Sequence, residues 1–298
     1  MDADATARDV GEFGLIARVI DRLARHDSAP SVLLGPGDDA AVVATPDGRV
    51  VASTDVLVDG VHFRRDWSSP YDVGRKAAAV NLADIAAMGA RGTALLVGLA
   101  APADLPVSWS LELADGLRDE AAVVGASVVG GDVVRSGTLV ISVTALGDLD
   151  GRAPVTRSGA QPGDVVVLAG ELGLSDAGLS LLEGGKRDGP LVDAHRRPSP
   201  PYELGPLLAR AGATSMCDIS DGLVADLGHV ARASGVHIDL DAADERFLTG
   251  GEDHALVATM PADAERPVGV RVIGRVMAGD AVVTVAGRPA TGGWDHFS

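Results

Sequence analysis

A chain of 298 residues has room for about two domains, and its 46% apolar against 22% charged residues place it among folded rather than disordered proteins. A net charge of −17 argues against non-specific attachment to nucleic acid or anionic lipid, both of which are polyanions, but leaves small anionic substrates open if metal ions bridge them to carboxylates. The single cysteine, Cys217, excludes an intramolecular disulfide and a cysteine-based zinc cage, and it suits a reducing compartment.

The start, "MDADATARDVGEF", lacks the basic and apolar segments of a signal peptide, and no apolar run approaches the roughly 20 residues of a membrane span, so the cytoplasm is the expected location. Phe13, Ile16, Val19, Ile20 and Leu23 recur at helical spacing and predict a helix over residues 12–25. The runs "AAVVATP" and "RVVASTDVLVDGVHF" flank a turn at residues 46–48 and suggest a β-hairpin. A helix over "YDVGRKAAAVNLADIAAMGA" leads to the strand "GTALLVGLAAP". A helix over "SWSLELADGLRDEAAVVGA" follows, then the strands "SVVGGDVV" and "TLVISVTALGDL". This mixed order predicts an α/β or α+β domain over residues 1–150.

A second domain, residues 151–298, opens with Gly and Pro punctuation before a strand at 164–168. The stretch "LLEGGKRDGPLVDAHRRPSPPYELG" reads mainly as loop. The helix "DGLVADLGHVARASG", the strand "VHIDLD" and three strand-like runs, "HALVATM", "GVRVIGRVM" and "AVVTVAG", complete the order.

Aspartates punctuate these runs. Asp38 and Asp39 in "LLGPGDDAAVV", Asp55 in "VVASTD", Asp132 in "VVGGD" and Asp218 and Asp221 in "SMCDISDG" each follow an apolar run and a small residue, and "GGED" puts Glu252 and Asp253 before a strand. Such residues are common turn formers, but their recurrence at expected strand ends points to a site. Asp84 stands out, because helical spacing places it on one stripe with Val80 and Met88, where a solvated carboxylate is out of place. Oxygen ligands without a Cys or His cluster suit hard cations, Mg2+ above all, and scattered aspartates converging on a nucleotide suit Mg2+ better than a compact calcium loop. No GxxxxGK[ST] phosphate loop and no protein-kinase signature occurs.

In chain order, "GEFGLI", "GPGDDAAV", "STDVLVDGVHF", "KAAAVNLADIAAMGA", "GGD", "TRSGAQPGD", "RPSP", "DISDGLVADLGH" and "GGEDH" resemble the thiamine-monophosphate kinase family, within the ATP-binding superfamily named after aminoimidazole ribonucleotide synthetase. The resemblance spans nearly the whole chain. It implies two α/β domains of mixed sheets, with the N-terminal domain binding ATP and Mg2+ and pairing in a homodimer. It implies transfer of the ATP γ-phosphoryl group to thiamine monophosphate, by direct in-line attack, to give thiamine diphosphate.

By this resemblance Asp38, Ser53, Thr54, Asp55, Asp84, Asp132, Asp218 and Asp221 are metal ligands, and Asp38, Asp55, Asp84, Asp132 and Asp218 serve catalysis through those metals. Gly131, Asp132, Arg157 and Ser220 are implied nucleotide contacts, and His62, Glu252 and Trp294 are implied on the substrate side. Asp38 would then be held by Mg2+, with Asp39 turned away. Two departures fall near the substrate: a short connection at 246–250, and His254 where the family usually has tyrosine. Rivals in the superfamily that carry a reactive cysteine near either end fit poorly, since the sole cysteine is Cys217. The alternative from another class is a silent nucleotide- or Ca2+-binding scaffold.

Overall fold

Glycine and apolar spacing set the first helix. Helix α1 (Ala7–Leu23) is interrupted at Gly11, whose φ of 69° breaks the helical run. Among its described side chains the most buried is Leu15, which the expected stripe passed over, while Ile16, Val19, Ile20 and Leu23 are half-buried. The computed structural model describes residues 5–23, 29–34 and 41–294, apart from the side chains of Glu12 and Phe13. The chain divides into two units, Met1–Ile85 with Gly92–Asp150 and Ala86–Arg91 with Gly151–Ser298.

In the first unit β1 (Val32–Leu34) pairs antiparallel with β2 (Val42–Val43). The expected hairpin is therefore not formed. Its turn exists, with the Gly48 N–H donating to the Thr45 carbonyl, but it joins two different sheets. Strand β3 (Val51–Val58) instead pairs along its whole length with β6 (Val140–Asp148), because an eight-residue ladder outweighs what a two-residue β2 offers. With β4 (Arg91–Ala101) and β5 (Ser127–Arg135) these form a four-stranded sheet in the order β3-β6-β4-β5, with β4 and β5 parallel.

Helix α2 (Pro70–Ala87) starts with reciprocal bonds between Ser69 and Asp72, a capping arrangement that satisfies otherwise orphaned N–H groups. It packs on α3 (Val107–Val123) almost backbone to backbone. A Cβ on Gly74 would overlap the Leu113 carbonyl, and one on Gly116 would overlap that of Tyr71. The Arg75–Glu120 ion pair, with Glu120 buried, bridges the same contact.

In the second unit the described residues form a seven-stranded sheet, ordered β13-β12-β9-β11-β7-β10-β8. These strands are β7 (Asp164–Ala169), β8 (Ser215–Asp218), β9 (His237–Leu240), β10 (Leu256–Pro261), β11 (Val270–Met277), β12 (Val283–Val285) and β13 (Arg288–Pro289). Helix α7 (Leu223–Ser234) lays Leu223, Leu227 and Val230 into a core with Val166, Leu168, Ile238 and Val257. Each such burial contributes roughly 1.5–3 kcal/mol before entropy is counted.

The stretch expected as loop holds α5 (Pro190–Arg196) and adjoins α4 (Leu174–Glu183) and α6 (Leu204–Arg210). A seven-residue helix is too short to show periodicity; its start is marked by Pro190 at the first position, and Val192 is its buried anchor. The short connection is filled by the one-turn α8 (Glu245–Thr249), capped by Asp244, whose carboxylate accepts the Phe247 N–H at 2.9 Å.

Candidate functional site

In the first unit the strand period of two sorts the β3 side chains. Ser53, Asp55 and Leu57 face inward, whereas Ala52, Thr54 and Val56 are exposed on the other face. Across from the inward face, α2 presents Asp84, half-buried between the buried Ala83 and Ile85. The Ser53 hydroxyl donates to Asp84 Oδ2 at 2.6 Å, and the Asp55 N–H donates to Oδ1 of the buried Asn81 at 2.9 Å. Thr54 is not part of this group. Its hydroxyl donates to the Val143 carbonyl and accepts from Thr144, its cross-strand partner.

Asp132 also lies apart from Ser53 and Asp55. It pairs in register with Gly98, a Cβ on Gly98 would touch Ser142, and Ser142 is opposite Val56, so Asp132 shares the outward face with Val56 and Thr54. Asp55 and Asp132 both sit within their strands rather than at the ends the sequence suggested; the glycine before Asp132 marks a close strand approach, not a turn. Gly131 shows this directly, because a Cβ there would overlap the Val97 carbonyl. His62 follows β3, with Nδ1 accepting the Val58 N–H at 3.0 Å, which places the ring proton of the neutral form on Nε2; its carbonyl accepts from the buried Lys76. Asp38 and Asp39 lie outside the described residues.

In the second unit the site is made of two loops at adjoining ends of the antiparallel β8 and β10. The Glu252 N–H donates to the Ser220 carbonyl at 2.7 Å, the His254 N–H to Ile219 at 2.9 Å, and the Ile219 N–H to Ala255 at 2.8 Å. Glu252 and His254 adopt left-handed φ values of 62° and 53°. Between them Asp253 accepts the N–H groups of Gly173 and Ser175, at 2.6 and 2.8 Å, tying the loop to the start of α4.

This brings together Asp218, whose Oδ2 stands 3.1 Å from His254 Nδ1, and Glu252, whose carboxylate lies 3.8 Å from Nδ1 of His195. The His195 ring also meets the Ser175 hydroxyl at 3.0 Å. Asp221 donates its N–H to Asp226, and its carbonyl accepts the N–H of the largely exposed Trp294 at 2.9 Å. Arg157 is exposed, and its positive charge draws down the titration of Asp226.

Burial, reinforced by the neighbouring Asp218 carboxylate, pushes Asp226 up to about 7. The same burial raises the Cys217 thiol well above its ordinary value, with Asp226 and Asp218 adding to the shift. Such a thiol is a packed apolar group rather than a nucleophile. Burial also raises Asp253, although the N–H groups of Ser175 and Gly173 oppose it.

Among the described residues no three His, Cys, Asp or Glu side chains are gathered closely enough to hold a metal ion. The donor chemistry that is present fits Mg2+: Asp84 with the Ser53 hydroxyl beside it, Asp55 on the same strand face, and Asp218 at the end of β8 are all hard oxygen donors. Asn81, Asp226 and His195 were not singled out from the sequence, and Asp253, noted there as a carboxylate before a strand, was not expected to anchor the start of α4. Asn81 and Asp226 carry the same signal that marked Asp84, a polar residue inside an apolar helical stripe, whereas His195 carries none.

The chain matches the family model for the AIR synthase related protein N-terminal domain over residues 37–149 and that for the C-terminal domain over 161–286. It is 52% identical to thiamine-monophosphate kinase of Mycobacterium tuberculosis (strain H37Rv) over 316 residues, covering 98% of this chain and 93% of the relative. That alignment is longer than the chain, so the relative holds residues absent here. Thiamine-monophosphate kinase of Escherichia coli (strain K12) is 40% identical over 275 residues, covering 84% and 83%. The solved structure described as AaThiL complexed with AMPPCP and TMP matches with a TM-score of 0.79 at 34% identity, over 97% of this chain and 98% of that one.

Proposed function

We propose the reaction from the premise that this chain belongs to the thiamine-monophosphate kinases, a family of AIR-synthase-related proteins. It transfers the γ-phosphoryl group of ATP to the phosphate of thiamine monophosphate, yielding thiamine diphosphate and ADP. The observation that carries this reading is the 52% identity over 98% of the chain to a relative of that name.

A phosphate monoester is already anionic near neutral pH, so the acceptor needs alignment and charge neutralisation rather than a strong base. The inward face of β3 and α2 supplies Ser53, Asp55 and Asp84, and the end of β8 supplies Asp218 and Asp221; with Asp38, Thr54 and Asp132 these are our assigned metal ligands. Thr54, whose hydroxyl is bonded to the Val143 carbonyl on the other face, enters this set from the resemblance. When bound, Mg2+ neutralises phosphate charge so that two polyanions can approach. Gly131, Asp132, Ser220 and Arg157 contact the nucleotide, Arg157 as a cationic clamp. His62, Glu252 and Trp294 face the acceptor, where a carboxylate suits a cationic thiazolium ring.

We assign a homodimer formed by the first unit. Its sheet exposes Val56, Leu96 and Val134 on the face that also carries Asp132, an apolar surface that pairing would cover. The working location is the cytoplasm; among the described residues no helix is long and apolar enough to cross a membrane.

The test is incubation with ATP, Mg2+ and a panel of phosphorylated acceptors, with products identified by mass. Thiamine diphosphate and ADP should form together, from thiamine monophosphate alone. ADP release without thiamine diphosphate would overturn the assignment, and full turnover in excess EDTA would overturn its metal part.

A further inference from the structure

His254 has a left-handed φ of 53°, a conformation that costs free energy for any residue with a Cβ. The surrounding hydrogen bonds enforce it. The backbone of residues 252–254 is fixed to Ser220 and Ile219, Asp253 is fixed to Gly173 and Ser175, and a Cβ on Gly251 would crowd the Ser220 carbonyl. That conformation turns the imidazole onto Asp218, with Nδ1 3.1 Å from Oδ2 and both side chains more than nine-tenths buried.

Asp218 stands beside a second carboxylate, Asp226, which itself is held by the N–H groups of Asp221 and Gly222 at 3.1 and 3.2 Å. Mutual repulsion favours rotation of the Asp218 carboxylate away from Asp226. A buried donor on Oδ2 opposes that rotation and fixes the plane of the carboxylate, committing Oδ1 to one direction. Hydrogen-bonded partners of ligating carboxylates act in this way on metal affinity.

We propose that His254 is a positioning residue: its Nδ1–H holds Asp218 in the orientation needed to bind a divalent cation, and the strained loop exists to deliver that ring. This inference rests on the assignment of Asp218 as a metal ligand. Asn and Gly both tolerate a left-handed φ, but only Asn can place an N–H donor where Nδ1 stands, so the two variants separate the hydrogen bond from the backbone.

Mn2+ binding followed by electron paramagnetic resonance, and the Mg2+ concentration at half-maximal turnover, should each worsen about 10-fold or more in His254→Gly. The KM for thiamine monophosphate should move much less, and His254→Asn should restore Mn2+ affinity to within about threefold of the parent protein. Equal losses in both variants would overturn the proposal, as would unaltered Mn2+ binding in folded His254→Gly. Asp218→Asn is the control: if it leaves Mn2+ binding unchanged, the ligand assignment itself has failed. If it weakens binding while His254→Gly does not, only the role of His254 has failed. Should the Gly variant not fold, nitrogen-15 spectra of the histidine-labelled parent decide, with the resonances of His254 identified by their loss in His254→Asn. A proton on Nδ1 supports the hydrogen bond, and a bare Nδ1 overturns it.

Discussion

The two units place carboxylates by opposite means. In the first, Asp84 and Ser53 meet because a helix and a strand in regular geometry present them, and the α2–α3 contact that steadies the helix is backbone against backbone at Gly74 and Gly116. In the second, Asp218 stands at the end of β8 and Glu252 in the facing loop, where two loop backbones are hydrogen-bonded to each other and Glu252 and His254 are left-handed. A site on regular elements depends on packing far from its reactive atoms, whereas a site on strained loops depends on a few local hydrogen bonds.

The largest expected effect is on Asp84→Asn, which keeps shape and removes charge. Turnover should fall on the order of 100-fold or more, while the metal-free protein should melt at the same temperature or higher because a carboxylate has left a polar cluster. Near-normal turnover at limiting Mg2+ would remove Asp84 from the site and break the comparison. Next, Gly116→Ala should cost about 2–3 kcal/mol in urea unfolding, since the new methyl group has no space beside Tyr71. A cost below about 0.5 kcal/mol would show that the helices adjust easily and that packing does not hold Asp84 in place.

For the second unit the sharper test is pH. Asp226 is raised from 3.8 to about 7 in the folded protein, so its contribution to stability is fully present below about 4 and is lost as pH rises through about 7. Asp226→Asn stays neutral throughout. The gap in melting temperature between the metal-free variant and the parent should therefore open between pH 4 and 7, in favour of the variant, and stay constant above about 7. A gap that does not change with pH would mean Asp226 ionises normally. The smallest effect belongs to Cys217→Ser: with the thiol buried and its ionisation suppressed, turnover should stay within about threefold, and complete loss in a folded variant would reopen a nucleophile role.

Much of this was legible in the sequence wherever periodicity was long. Helices α2, α3 and α7 and the strands beside them follow the apolar pattern, and Asp84 was visible as a charge inside an apolar stripe. What pattern could not supply was pairing. The turn at residues 46–48 suggested a hairpin, but β3 found its partner about ninety residues away, a choice set by ladder length rather than by the turn. Strand faces were equally hidden: Thr54 follows Ser53 in "STD", yet the alternation sends it to the other side, and Asp132 joins it there through the β4–β5 register. In the second unit, "GGEDH" gave no sign that Asp253 anchors α4 or that His254 reaches Asp218, since both depend on the left-handed backbone angles of Glu252 and His254.

The central claim is a single direct transfer from ATP to the acceptor phosphate, with carboxylates serving cations and no covalent protein intermediate. The stereochemical course of the reaction, followed with ATP made chiral at the γ-phosphorus by oxygen isotopes, tests it most directly. One in-line displacement gives inversion at phosphorus in the thiamine diphosphate formed, which is the expected result. Retention would require two displacements, through a phosphorylated residue of the protein, and would contradict the account.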